Sequence, residues 1–558
     1  MKTNKQISKL VATAAMAVAA IAPSFAQSNL GAACGCPAVA SRTIVELSSL
    51  PGYTAIAGIN GGELMTGATL TCDKMYIIDK KIYIPAGQVL NIAPGTVLKG
   101  RETPLPSDAT ALVIERGGKI NASGESDCQI VFTAEADPVN GTYGIENKGK
   151  WGGVVLLGKA TNNLTLANNG PYVPGGSGKL AVANGLGIIE GFATADTQNQ
   201  YGVDLNSGSF DDNDNSGIMK YVSIRHSGAI LAVGAEINGL TLGSVGRGTT
   251  IEHIEIVSCA DDNIELFGGT VNLKYISVLF GNDDMYDYDL GWTGKGQFLF
   301  GMKTDITASA DSDSGFEADS DDNKSNNLPK SHPVFYNVTL IGNDKAIGNV
   351  DNGALAAIMA KEATEGEFYN SVFANFRNGF NMQKALGSRV GGVEAYDNWI
   401  NGSLQVKCNT FVGTTNPATF DGSKTSGGTA LVGADLTKFT TTDLNTVVAG
   451  NTLPGFSYTF TVNNATNVFS VKNDVVPNPA LSTAGCPTAP VDGFFRAAAY
   501  RGAFSSDPKN NWLSDWSYSQ VLNTTKGLVS CPTDINGDGT TNVSDFLQLS
   551  GSLGTSCN

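Results

Sequence analysis

The sequence predicts an all-β fold, a right-handed parallel β-helix built from coils of about 22 residues, and three observations lead there. First, apolar segments recur at a fixed offset. Ile254 to Asp262 aligns with Ile276 to Asp284 and Leu90 to Gly95 with Leu112 to Gly117, both at a shift of 22, while Val338 to Asp344 reads as a further copy after insertions. Second, each copy holds short alternating β-branched stretches broken by Gly, Asn and Asp, and nothing between them has the period or length of a helix. Third, the 558 residues include 67 Gly and 41% apolar residues but 16% charged ones, which suits an ordered, turn-rich chain and excludes a disordered one. A unit this short cannot bury its own apolar face, whereas coiling stacks like positions about 4.8 Å apart around a continuous core. A propeller would need blades of roughly 40 residues, and a sandwich keeps no such register.

The N-terminus reads as an export signal. Lys2, Lys5 and Lys9 precede the apolar run Leu10 to Ile21, which is too short to span a bilayer, and Ser24-Phe25-Ala26 after Pro23 offers a cleavage site before Gln27. Residues 1–26 are therefore expected to be a signal peptide, and the mature protein to be secreted or displayed at the cell surface. A lipoprotein signal ending at Cys34 fits less well, because that cysteine lies too far beyond the apolar run. The nine cysteines, at 34, 36, 72, 128, 259, 408, 486, 531 and 557, all follow the signal, where disulfides persist. An odd number leaves at least one unpaired, and Cys259, inside the run Ile254 to Cys259, is the candidate buried thiol.

Residues 27–71 read as an N-terminal segment and cap, and residues 72–408 as the coils. Residues 409–490, rich in Thr, Asn and Gly, read as irregular β structure. The aromatic stretch 491–530, with Phe494, Phe495, Trp512 and Trp516, is expected to cap the open end of the coil, where a bare rung would expose an edge.

Residues 531–558 carry an ion-binding pattern. In Asp534 to Asp545, oxygen ligands stand at loop positions one, three, five and twelve (Asp534, Asn536, Asp538, Asp545), with Gly539 at the sharp sixth position and the Thr540 carbonyl at the seventh. Calcium is the ion this spacing suits. The segment resembles a type I dockerin repeat, or half an EF-hand; dockerins carry two such repeats and this chain shows one, which argues against a cohesin partner. Cys531 and Cys557 bracket the unit and are placed to staple it.

The repeat also aligns acidic residues. Glu265 stands 22 residues before Asp287, and Asp287 stands 30 before Glu317, while Asp289 and Asp319 repeat the longer offset. Alternation turns Ile264, Leu266, Tyr286, Tyr288, Phe316 and Ala318 inward, so Glu265, Asp287, Asp289, Glu317 and Asp319 point away from the core together. Asp261-Asp262 and Asp283-Asp284 stack at the adjoining turn, with Asp311, Asp313, Asp321 and Asp322 in a nearby loop. Two readings stand open: a solvated acidic face, or a site in which a cation or raised pKa values relieve the repulsion.

Lys and Arg total 36 against 52 Asp and Glu, a formal net charge of −16, which argues against nucleic acid as a partner and favours cations or neutral polymers; a polysaccharide or other cell-surface polymer is the expected partner. The stretches Ile84-Pro85-Ala86-Gly87, Ile92 to Gly100, Trp151 to Gly158, Asp212 to Gly217, Glu236 to Gly243, Phe267 to Asn272 and Gly315-Phe316-Glu317 together resemble secreted β-helix proteins of Bacteroidota and related bacteria. That resemblance implies the fold and an extracellular or envelope location, and it brings no reaction with it. Polygalacturonases pair an Asp couple with an Asp of a neighbouring coil, as Asp261-Asp262 and Asp283-Asp284 do here, but the expected Gly-His-Gly is missing around His226, His253 and His332. Pectate lyases join calcium to a basic side chain, for which Arg225 or Lys274 is the candidate. The expectation is therefore a calcium-binding, non-catalytic carbohydrate-binding or structural protein; the alternative is a polysaccharide lyase or glycoside hydrolase acting on acidic polysaccharide through the ladder.

Overall fold

Parallel pairing carries the chain from coil to coil. The strand Thr43–Glu46 pairs with Lys74–Ile78, which pairs with Val97–Gly100, and the same ladder continues through Gly217–Arg225, Thr250–Val257, Asn272–Leu279, Lys295–Met302 and Val334–Ile341 to Thr446–Val448. A second parallel ladder runs beside it through Val154–Leu157, Leu240–Gly243, Ile264–Phe267, Tyr286–Asp289, Phe316–Ala318, Ala356–Ala360 and Asn378–Met382. We call the first the flank ladder and the second the site ladder. Successive parallel strands joined by crossings of one hand form the right-handed β-helix that the repeat predicts. The computed structural model describes residues 30–518, apart from 174–178, 191–196, 304–313, 322–325, 344–355, 385–392, 423–427, 464–467, 507–510 and isolated positions of one or two residues.

The long flank strands bend in mid-course. Each bend places a bulky residue at positive φ, Tyr221 at 50°, His253 at 53°, Tyr275 at 57° and Phe298 at 57°, a conformation that such side chains adopt only when packing compensates the strain. The bend closes the coil around its core. Ile254, Ile276, Leu299 and Val338 form one fully buried column by direct pairing, and Phe316, Phe335 and Phe368 fill the interior with ring centroids 4.8 to 5.3 Å apart. Burying one such side chain contributes about 1.5–3 kcal/mol, so the column adds cohesion between rungs to that of the backbone ladders.

The register at Ile254 and Ile276 matches the predicted shift of 22, but the match of Leu90 to Leu112 does not hold. Leu90 pairs with Ile120 in the flank ladder, while Leu112 pairs with Ile82 and Val154 in the site ladder. The intervening coil is 30 residues long, so a likeness at 22 there links strands of two different sheets. Pairing also starts before residue 72 and continues past residue 408 through Asn416–Phe420 and Thr446–Val448. A short helix, Ala395–Asn401, interrupts the coils where no helix is expected; Glu394 and Asp397 cap its first turn and Trp399 is fully buried.

Disulfides pin both ends. Cys34–Cys128 and Cys36–Cys72 tie the N-terminal segment to the first coils, Cys408–Cys486 ties the segment after the coils back to them, and Cys259 is buried and unpaired as expected. The aromatic segment does not sit across the open end. It returns along the outside of the flank ladder, where the Tyr336 hydroxyl donates to the Thr488 carbonyl, Asn337 to the Tyr500 carbonyl and Gln297 to the Arg496 carbonyl. The aromatic rings standing out at the bends give it a better apolar surface than a terminal rung does. The signal sequence, the loop of Asp534, Asn536, Asp538, Thr540 and Asp545, and Cys531 and Cys557 lie outside the described residues. Among the described residues no helix is long and apolar enough to cross a membrane.

Ile264 is fully buried between Leu240 and Tyr286 on adjacent rungs. Ile264→Asp should cost more than about 4 kcal/mol by burying an unpaired charge, whereas Ile264→Val should cost about 1 kcal/mol. Denaturant unfolding of the two variants checks this; equal midpoints would mean that the position does not belong to the core.

Candidate functional site

The site ladder brings the acidic residues together rung by rung. Thr241, Glu265, Asp287, Glu317 and Met359 are direct partners in one column. Beside it, Phe267 pairs with Asp289; the Asp319 amide then donates to the Tyr288 carbonyl at 3.0 Å and the Lys361 amide to the Ala318 carbonyl at 3.0 Å, which continues a second column from Asp289 through Asp319 to Lys361. At the turn below, Asp262 accepts from the Asp284 amide at 2.8 Å, and Asp284 accepts from the Ser314 amide. Each aspartate thus caps the next coil, which explains why the pairs repeat.

These carboxylates are not a solvated face. Glu265, Asp287, Asp289 and Asp319 are at most 5% exposed, and Glu317 is the most open of the five. The strands Ala181–Ala183, Leu186–Ile188 and Gln200–Gly202 form a small antiparallel sheet whose Tyr201 ring stacks on Phe267, 5.8 Å away, and covers the ladder. Two lysines that sequence reasoning missed enter from the sides. Lys179 lies 3.1 Å from Asp289 and 3.9 Å from Asp319; Lys361 lies 2.6 Å from Glu317 and 3.4 Å from Asp319. Asn238 donates to Glu265.

Burial and mutual repulsion divide the carboxyl groups. Burial first, then Asp287 and Glu190, pushes Glu265 well above the usual carboxylate range; Asp262 is pushed up by burial and by Asp261. Burial also holds Asp287 and Asp319 well up, with Glu317 adding to both and Lys179 and Lys361 opposing. Glu317 goes the other way: burial works against its charge, but Lys361, a hydrogen bond with Asp284 and the Lys179 charge together hold it below the ordinary range. Lys179 and Lys361 are held above the ordinary lysine range by the same acids, against their burial. On neighbouring rungs, therefore, the Asp287 carboxyl is pushed toward its protonated form and the Glu317 carboxyl toward its ionised form.

Two trios bring carboxylate oxygens within 4.8 Å of one another, Asp261 with Asp262 and Asp283, and Asp262 with Glu265 and Asp287, so the site can hold a divalent cation. Asp287 Oδ1 accepts no hydrogen bond among the described residues. Of the loop aspartates, Asp321 is buried nearby, and Asp311, Asp313 and Asp322 lie outside the described residues.

The basic residues considered from the sequence are elsewhere. Arg225 and Lys274 belong to the flank ladder, where Arg225 bonds Ser223 and lies over Tyr518. The histidines are also remote in role. His226 Nδ1 meets the Asn147 carbonyl at 2.6 Å and its pKa falls to about 4 by burial, His253 is stacked between Tyr221 and Tyr275, and His332 pairs with Glu365.

Residues 62–458 match the family described as a pectate-lyase-like beta helix domain. No curated protein matches the chain. The solved catalytic domain of a GH87 alpha-1,3-glucanase in complex with tetrasaccharides is similar at 11% identity and a TM-score of 0.28, over 69% of this chain and 64% of that one, so the chain covers less than two thirds of that domain. The family match overturns the expectation of a non-catalytic binding or structural protein: it spans the coils that carry the ladder and is a match to a lyase-like domain.

Because Asp262, Glu265, Asp287 and Asp319 have folded pKa values above their unfolded ones, the native state holds more protons than the unfolded state above about pH 4, and stability falls as pH rises through that range. Thermal melts in chelator should show this fall, and Asp287→Asn should make it shallower. A melting temperature that climbs between pH 4 and 7 in chelator would contradict the assignment.

Proposed function

The chain belongs to the pectate-lyase-like β-helix domain family, and from that membership we propose that it is an exported polysaccharide-cleaving enzyme, a glycoside hydrolase acting on an acidic polymer at the site ladder. The observation that carries this reading is the direct pairing of Asp287 with Glu317 on adjacent rungs, two carboxyl groups in unlike surroundings. Glycoside hydrolysis asks for one carboxylic acid to protonate the leaving oxygen and one carboxylate to act as nucleophile or base. Asp287 suits the first role, since burial favours its protonated form. Glu317 suits the second, since Lys361 at 2.6 Å keeps it charged and it is the more open of the pair.

Elimination fits less well. A lyase needs a base able to take a proton near the working pH, and the two lysines at the ladder, Lys179 and Lys361, are both held charged by their acidic neighbours. Their charges serve another purpose: they offset rungs of the ladder, and Lys361, with a third of its side chain open, is placed to meet a uronate carboxylate. The cation proposal accordingly narrows from the whole ladder to the more open trio Asp261, Asp262 and Asp283, a hard oxygen set suited to Ca2+. Bound there, calcium would supply positive charge beside the anionic substrate. The C-terminal loop of Asp534, Asn536, Asp538, Thr540 and Asp545 is proposed as a separate calcium site of structural use. The polymer, outside the cell in this reading, is the partner; a cohesin is not proposed.

Glu317→Gln and Asp287→Asn should each reduce cleavage of polygalacturonate by at least ~100-fold while the fold persists. Reducing-end release without an ultraviolet-absorbing unsaturated product is expected. Activity should fall at alkaline pH as Asp287 loses its proton, at a pH above the usual carboxylate range. Unsaturated products that require added calcium would establish elimination instead, and full activity in both variants would remove the ladder from the chemistry.

A further inference from the structure

A second concave surface lies on the flank ladder, a cleft of about 1110 Å³ between the bends of four consecutive strands and the returning aromatic segment. Its floor is the stacked column Tyr221, His253, Tyr275 and Phe298, with centroid separations of 4.4, 4.5 and 5.1 Å. Trp512 faces this column, 5.7 Å from Tyr275. The column is roughly 14 Å long at ~4.8 Å per rung, with one ring per rung, and this repeat is on the scale of a pyranose unit. Because the rings stack face to face and His253, Tyr275 and Phe298 are at most 9% exposed, the floor of the cleft is a row of ring edges, one per rung.

The charge of the cleft runs against that of the molecule. Lys220, Arg247, Lys274 and Arg496 line it and Glu252 is the one carboxylate among its lining residues, in a chain of formal charge −16. Lys220 lies 3.8 Å from Glu252, and Arg247 lies 3.6 Å from Asp212 at the exposed rim. Lys274 and Arg496 have no carboxylate within 4 Å among the described residues; Lys274 donates to the Phe494 carbonyl, and Arg496 donates to the Tyr275 hydroxyl at 2.8 Å. Burial and the neighbouring Arg496 charge push the Lys274 pKa down. An anion between these two cations would replace repulsion with two charge-assisted hydrogen bonds.

We propose that this cleft is a second carbohydrate site, which holds an anionic oligosaccharide with its carboxylates on Lys274 and Arg496 and its apolar C–H surfaces along the ring edges of the column floor. Aromatic walls with a few placed polar groups are the usual make-up of a small-molecule site, and Thr249 and Asn272, each already accepting one backbone N–H, also line it. A nucleic acid would have its long phosphate backbone repelled by the strongly acidic body, whereas a short uronate oligomer fits inside the positive cleft. The site does not depend on cleavage at the ladder. It gives the enzyme a grip on the polymer away from the reacting bond.

The test is calorimetry on the full chain carrying Glu317→Gln, with tetragalacturonate as the probe. Binding is expected, weakened at least tenfold by Lys274→Gln with Arg496→Gln, and weakened by raised salt. If that pair does not fold, Lys220→Gln with Arg247→Gln at the rim should weaken binding in the same direction. In the chain with Glu317 intact, the same substitutions should leave cleavage of the short substrate unchanged, which separates this site from the ladder. Unaltered affinity in the cleft variants, equal binding of neutral cellotetraose, or tighter binding of a single-stranded oligonucleotide would overturn the proposal.

Discussion

The stacking of each rung on the one below is the constraint from which the other features follow. A parallel coil places like positions in columns at ~4.8 Å, so whatever a position contributes is repeated along the axis. Inside, the repetition is favourable, because Ile254, Ile276, Leu299 and Val338 are direct partners and fully buried. Outside, it is costly wherever the position is charged. Two carboxylates one rung apart repel by about 1 kcal/mol in water and about 3 kcal/mol at intermediate dielectric, and Glu265, Asp287 and Glu317 form such a file.

The structure answers that cost by unequal treatment of the rungs. Glu317 and Asp319 receive Lys361, Asp289 receives Lys179, and Glu265 receives the Asn238 amide. Asp287 is left with an oxygen that accepts no hydrogen bond among the described residues, and burial pushes its pKa up. Asymmetry thus arises from a symmetric scaffold: identical backbone positions on successive rungs are pushed in opposite directions, since Lys361 makes a direct ion pair with Glu317 while burial outweighs the lysine charges at Asp287. The covering sheet around Tyr201 strengthens the effect by keeping water from the file.

Much of the fold was legible in the sequence where coils keep a constant length. The shift of 22 identifies Ile254 with Ile276 and Glu265 with Asp287, and the insertion of eight residues leads correctly to Glu317. Near the N-terminus the same search pairs Leu90 with Leu112 and fails, because a 30-residue coil stands there and apolar-Gly segments of two sheets look alike. The lysines of the site were hidden for a related reason. Lys361 follows Asp319 by 42 residues, across a coil with a long insertion, and Lys179 comes from an excursion outside the repeat, so no register points to either. Of the two readings left open for the acidic residues, burial excludes the solvated face, and the sequence could not decide between them because alternation tells which side chains leave the core and not what covers them afterwards. The aromatic segment was recognised by composition but assigned to the wrong surface; Tyr221, Tyr275 and Phe298 stand at bends that alternation does not anticipate.

Those bends set the final relation between the two faces. At positive φ the side chain leaves the pattern of the strand, and four such residues in register create a column of rings on the outside of the coil, where rung stacking again repeats them. The rings draw the aromatic segment onto the flank, and that segment brings Arg496 against Lys274 and Tyr275. A repeat that gathers carboxylates on one ladder thereby gathers cations on the other. For an anionic polymer approaching a molecule with a formal charge of −16, the attractive surface is the flank cleft, while entry to the ladder requires that Lys361 or a cation first offset the acids there. In the proposed reading, affinity and bond cleavage are therefore served by different faces of the same coil: a cluster that pushes the Asp287 carboxyl toward its protonated form is, for the same electrostatic reason, poorly suited to hold an anionic polymer by itself.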